Sequence, residues 1–221
     1  MNAVVPNVMP ILATPLGVAT IPDAAEFNGA LCELFARRAV SGHGLGQGDP
    51  LRVRGSDDLM EWQDAPVRRL VSAIVAAVYQ FVGRVSEITE PQLRACKLES
   101  RAWFTLIRSN GRVPATNYPL TAWCAIYCVA APPLVEGRAD SGFVRLYETR
   151  LSTTFQDASN AVMRIPYSQA HYTWRPTAGQ LVIFPGSLTH EVAPLRVAGE
   201  LLLVTARFRF VGSDQQGLSR W

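Results

Sequence analysis

At 221 residues, with 48% hydrophobic and 18% charged side chains, the chain is long enough for one sizeable core and too apolar to be a disordered or fibrous protein. Its net charge of +3 comes from 21 basic and 18 acidic residues, and Arg37-Arg38, Arg52/Arg54 and Arg68-Arg69 stand among acids rather than forming the concentrated basic face that nucleic acid requires. Met1 to Val18 has no charged start and is broken by Pro6, Pro10 and Pro15, and no apolar run reaches the roughly 18 residues of a membrane span, so the expectation is a single cytoplasmic domain over residues 1–221 with neither nucleic acid nor membrane as partner.

In chain order, Ile11 to Val18 reads as a short apolar strand punctuated by Pro15. Asp23, with Glu26 three residues later, marks a helix start, and Phe27, Leu31, Leu34 and Phe35 continue at helical spacing. From Gly42 to Ser56 the chain is glycine-rich without helical period, a loop or flap. His43, within it, is either a lid residue over a pocket or a solvated loop histidine. A second helix starts at the cap Asp64 with Pro66 in its first turn, carries Val67, Leu70, Val71, Ile74, Val78 and Phe81 on one face, and ends near Gly83. That face is expected to cover a sheet.

After Pro91 the pattern changes to strands: Ala102 to Arg108, Ala122 to Ala130, Gly142 to Glu148, Gln180 to Phe184, His190 to Ala193 and Glu200 to Val211. Turn signals such as Ser109-Asn110-Gly111, Pro132-Pro133 and Pro185-Gly186 separate them, with no helical pattern between. Strand following strand points to an α+β fold: an antiparallel double-stranded β-helix, or jelly-roll, over residues 101–211, with the helices of residues 1–100 packed on one sheet. Cys32, Cys96, Cys124 and Cys128 form no CxxC pair. Cys124 and Cys128 lie about 13 Å apart at strand rise, too far for a disulfide, so buried reduced thiols are expected.

A small jelly-roll pocket commonly holds a metal through histidines and a carboxylate near strand ends. His190 follows a strand and tight turn and opens the next strand, either as a ligand or as a structural histidine bonded to backbone. Glu148 shares a strand face with Val144 and Leu146, so it meets either a metal or an arginine such as Arg145 or Arg150. His171, between Ala170 and Tyr172, packs beside aromatics or supplies a further donor.

In their order and spacing, several pieces resemble a bacterial family of 2-oxoglutarate- and Fe(II)-dependent oxygenases. These are Thr14-Pro15-Leu16-Gly17, Ser56-Asp57-Asp58-Leu59, Trp103, Cys124-Ala125-Ile126-Tyr127-Cys128-Val129, Ser141-Gly142 to Arg150, Gly179 to Pro185, and His190. The resemblance spans nearly the whole chain and implies the jelly-roll, with Fe(II) and 2-oxoglutarate as cofactors. The family's His-x-His-Pro element falls on Thr116-Asn117-Tyr118-Pro119, its Asp-Pro-Arg on Glu148-Thr149-Arg150 and its distal histidine on His190. The arginine that holds the 2-oxoglutarate carboxylate falls on Leu201, which cannot make that bidentate contact. Arg207 and Arg209 share the strand face of Leu201 and are the candidates to replace it, Arg207 standing roughly 20 Å along the strand.

The resemblance thus leaves His190 and Glu148 as metal ligands, with Asn117, Tyr118 or His171 as sources of a third donor. Two readings follow. In the preferred one the protein is a non-catalytic binding or regulatory module whose pocket is lined by Thr116, Asn117, Tyr118 and Leu201. In the other it is an active non-haem iron hydroxylase with a rearranged metal site. Edge strands of such rolls also offer a route to a homodimer.

Overall fold

The computed structural model of the protein describes residues 13–40, 49–135, 137, 140–147 and 171–212. In order these form β1 (Gly17–Thr20), α1 (Ala24–Val40), β2 (Arg52–Arg54), a 3-10 turn (Leu59–Glu61), α2 (Ala65–Val85), α3 (Glu90–Ala95), β3 (Lys97–Arg108), β4 (Val113–Thr116), β5 (Trp123–Ala130), β6 (Val144–Tyr147), β7 (His171–Trp174), β8 (Gln180–Pro185), β9 (Thr189–Val192) and β10 (Glu200–Val211). The strands make a six-stranded sheet, β1-β8-β5-β10-β3-β2, and a four-stranded sheet, β4-β9-β6-β7. Every ladder between them is antiparallel. The alternation of consecutive strands between the two sheets is that of the double-stranded β-helix expected from the sequence.

In β5, β8, the first half of β10 and the second half of β3 both faces are buried, which is why these stretches read as continuous apolar runs rather than alternating ones. In β5, Ala125, Tyr127 and Val129 face the helices, whereas Cys124, Ile126 and Cys128 face the other sheet. The helical layer supplies Phe27, Leu31, Leu34 and Phe35 from α1 and Val67, Leu70, Ile74 and Val78 from α2. Phe35 stacks on Phe104 of β3 at 4.7 Å between ring centroids. Tyr127 carries its hydroxyl into this layer and donates it to Asn28 Oδ1 of α1 at 2.8 Å, which satisfies both buried groups. All four cysteines are free thiols.

Helix α2 starts after Asp64 with Pro66 in its first turn and runs two residues past Gly83. By length and composition it is long and apolar enough to cross a membrane, a property the sequence reading did not assign to it. In the fold it lies on the sheet, with Val67, Leu70, Ile74, Val78 and Val82 buried.

Several elements depart from the sequence expectations for local reasons. Strand β1 begins only at Gly17, beyond Pro15, which has no N–H for the ladder; residues 11–12 of the expected strand lie outside the described residues. At Gly17 a Cβ would come within 2.6 Å of the Phe81 ring of α2, so any larger residue there would have to displace that ring. Strand β6 starts at Val144 rather than Gly142, because Gly142 turns with φ of 67°. Helix α3 was missed: Thr89 and Gln92 form a capping box around Pro91. The glycine-rich stretch expected as loop contains β2, whose three residues pair with β3 at Arg52↔Ile107, Val53↔Leu106 and Arg54↔Thr105. The short strands β4 and β7 were also missed.

Candidate ligand pocket

On the face of the large sheet that looks toward the small one, side-chain character changes along the strands. At one end lie Ile107, Cys128, Leu201 and Leu203 in an apolar cluster. Towards the other end the same face carries Trp103 and Thr105 of β3 and Thr205 and Arg207 of β10. There a cavity of about 330 Å³ opens between the sheets. Its polar lining comes from Arg52, Arg54, Trp103, Thr116, Tyr118 and His190, joined by Thr105 and Thr205 over an apolar floor of Ile126, Val192 and Leu203.

The hairpin turn after β8 delivers His190 into this cavity. On β9 it pairs with Thr116 of β4 on one side and Leu146 of β6 on the other. It is 3% exposed, with Phe184 at 5.1 Å and Tyr118 at 5.5 Å between ring centroids. Burial holds its pKa below the ordinary 6.5, against a smaller opposing effect of the backbone bond to Leu188. His190 Nδ1 lies 3.2 Å from the Leu188 carbonyl oxygen, and a neutral ring meets that acceptor by donating from Nδ1. Nε2 is then left as a hydrogen-bond acceptor. Burial likewise pushes the Tyr118 phenol up to about 12, so Tyr118 stays protonated at neutral pH.

The rim of the cavity is cationic and aromatic. Arg54 lies over the Trp103 ring at 4.2 Å and pairs with Asp57. Arg207 lies over Tyr118 at 4.7 Å and Trp103 at 5.2 Å and reaches the same Asp57 carboxylate at 3.5 Å. Trp103 and Tyr118 meet edge to face at 5.7 Å.

Of the residues singled out from sequence, Thr116, Tyr118 and His190 come together in the cavity. Asn117 is exposed and is not part of that lining. Leu201 is 1% exposed in the apolar cluster; it borders a separate pocket with Leu195, Val197 and Pro132. Arg209 is exposed and, with Arg207, borders an outer groove beside Asp57 and Arg101. His171 is exposed on β7 with its ring 5.9 Å from Tyr147, away from the cavity. Glu148 and His43 lie outside the described residues. Arg52 and Arg54 were passed over as pocket residues, although the Arg-Val-Arg alternation was a period-two signal for a strand with one charged face.

A facial triad needs two histidines and a carboxylate. Among the described residues no three His, Cys, Asp or Glu side chains gather to hold a metal ion. Around His190 the neighbours are Thr116, Phe184 and a protonated Tyr118, and Leu201, on which the sequence resemblance would place the 2-oxoglutarate anchor, is buried in the apolar cluster. The described residues therefore do not fit Fe(II) and 2-oxoglutarate held in the usual way.

Residues 101–203 match the family described as "Putative 2OG-Fe(II) oxygenase". Among solved structures, a prolyl-4-hydroxylase from Pseudomonas putida superposes with a TM-score of 0.60 at 15% identity, covering 90% of this chain and 94% of that one. AviO1 from Streptomyces viridochromogenes gives 0.56 at 14% identity, covering 91% of each chain. HygX from Streptomyces hygroscopicus, solved with nickel, 2-oxoglutarate and hygromycin B bound, gives 0.58 at 12% identity over 91% of this chain and 84% of that one. No curated protein matches the sequence. At such identities the structural likeness is one of fold, and it agrees with the family match over residues 101–203: the chain has the fold of the 2-oxoglutarate/Fe(II) oxygenases and resembles their family over that stretch.

Proposed function

We propose that the protein is a non-catalytic, pocket-bearing binding module on an oxygenase-type roll. The observation that carries this reading is the company His190 keeps: Thr116 and Tyr118 stand where the family's pattern has histidines, and neither donates as a strong metal ligand at neutral pH. Leu201 supports it, because a leucine packed in the apolar cluster offers a carboxylate nothing. A buried imidazole, a phenol and threonine hydroxyls above an apolar floor suit a small ligand held by a few placed hydrogen bonds.

The test is an anaerobic titration of metal-free protein with Fe(II) and 2-oxoglutarate, followed by the visible charge-transfer absorption of the ternary complex. The expected result is no band and no retained iron. A band that requires both additions and disappears in His190→Ala would overturn the module reading and establish a rearranged oxygenase centre, with Glu148 the first residue to replace next.

A further inference from the structure

Strand β2 stands outside the eight strands of the roll, yet it furnishes the cavity's two arginines. The alternation that sends Val53 into the helix-covered core sends Arg52 and Arg54 the other way, into the cavity lining. Pairing with β3 sets their height, Arg54 level with Thr105 and Arg52 level with Ile107.

The cluster is rich in donors. Arg52, Arg54 and Arg207 are met by Asp49, at 3.9 Å from Arg52, and by Asp57, which Arg54 and Arg207 share. Of the two arginines that line the cavity, Arg54 is held close against Asp57, whereas Arg52 is met only loosely by Asp49, so the Arg52 guanidinium keeps donors to offer. Arg207, whose Nε is buried without a hydrogen-bond partner among the described residues, borders the outer groove rather than this cavity. At the cavity's buried side His190 presents an acceptor, and the faces of Trp103 and Tyr118 bound the space between.

We propose that the cavity binds a small carboxylate through Arg52 and Arg54, so that an anion clamp on β2 stands in for the arginine replaced by Leu201 on β10. This deepens, and rests on, the reading of the protein as a binding module. The loosely paired Arg52 suits one carboxylate, because a guanidinium presents the planar pair of donors that a carboxylate accepts. The volume, near the lower end of small-molecule sites, selects a compact ligand.

The experiment is calorimetric titration of the full chain, in chelator and without iron, with succinate, malate and benzoate and with the neutral amide of each. At least one acid is expected to bind saturably, with its amide at least tenfold weaker. Arg52→Gln should weaken that acid at least tenfold, whereas Arg94→Gln on α3 leaves it unchanged. Because Arg54 also pairs with Asp57, Arg54→Gln is read only after its circular dichroism matches the parent, and Arg52→Gln decides the case alone if it does not. Binding of none of the acids, equal binding of acid and amide, or indifference to Arg52→Gln would overturn the clamp. The outcome is separable from the iron test: a lost clamp with no charge-transfer band leaves a module without this ligand class, and a band with an intact clamp removes the module reading but keeps the clamp.

Discussion

On one face of the six-stranded sheet, Phe104, Leu106, Tyr127, Ile183 and Val204 are sealed beneath α1 and α2. From the opposite face, strands β3, β5 and β10 send Trp103, Thr105, Ile126 and Thr205 into an open cavity. The first face packs as a continuous apolar cluster, and its one conspicuous polar pair, Tyr127 and Asn28, is mutually satisfied. The second keeps His190, Thr105 and Thr205 at buried positions and leaves volume beside them. Burying polar groups around empty space costs stability, so the helix-covered face contributes more to holding the molecule together than the cavity face does.

The comparison breaks most visibly if the covered face is not the stabilising one. Phe104→Ala removes a ring that stacks on Phe35 and lies over Gly55, where a Cβ would come within 2.5 Å of it. It should cost about 3–5 kcal/mol in urea unfolding, and a loss below about 1 kcal/mol would contradict the assignment. Tyr127→Phe leaves Asn28 Oδ1 without its donor in that layer and should cost about 1–3 kcal/mol.

The smallest effect belongs to the cavity. Because burial depresses the folded pKa of His190 below 6.5, the unfolded chain takes up this proton at a higher pH than the folded one does. The resulting stability is complete above about pH 6.5 and is lost as pH falls through the lower, folded value. His190→Leu should therefore flatten the acid limb of the stability profile in chelator, while moving stability at pH 8 by about 1 kcal/mol or less. An unchanged acid limb would show that His190 is not held neutral in the fold.

The two faces were also unequally readable from sequence. The helix-covered side was legible because Leu70, Ile74 and Val78 repeat at helical spacing over most of α2, and the long strands β5 and β10 carry enough apolar residues to announce themselves. Strand β2 is only three residues, Arg-Val-Arg, inside a glycine-rich stretch, and β4 holds a proline; what makes them strands is a neighbour's ladder, which local sequence does not contain. His190 was legible through its place in an ordered set of motifs. That Arg52 and Arg54 share its cavity was not, because 136 positions separate Arg54 from His190 and only the sheet register brings β2 alongside β3.

The position of β2 has a second consequence, for colloidal behaviour rather than recognition. It ends the six-stranded sheet, and its outer side pairs with no described strand, so apart from the Arg52 N–H, which donates to the Asp49 carbonyl, its outward backbone groups form a template on which another chain's strand could add. A strand of only three residues, two of them arginines, is a poor template: it is too short for a stable added ladder, and its charges repel a second copy of itself. Removing both charges together should therefore raise the tendency to aggregate.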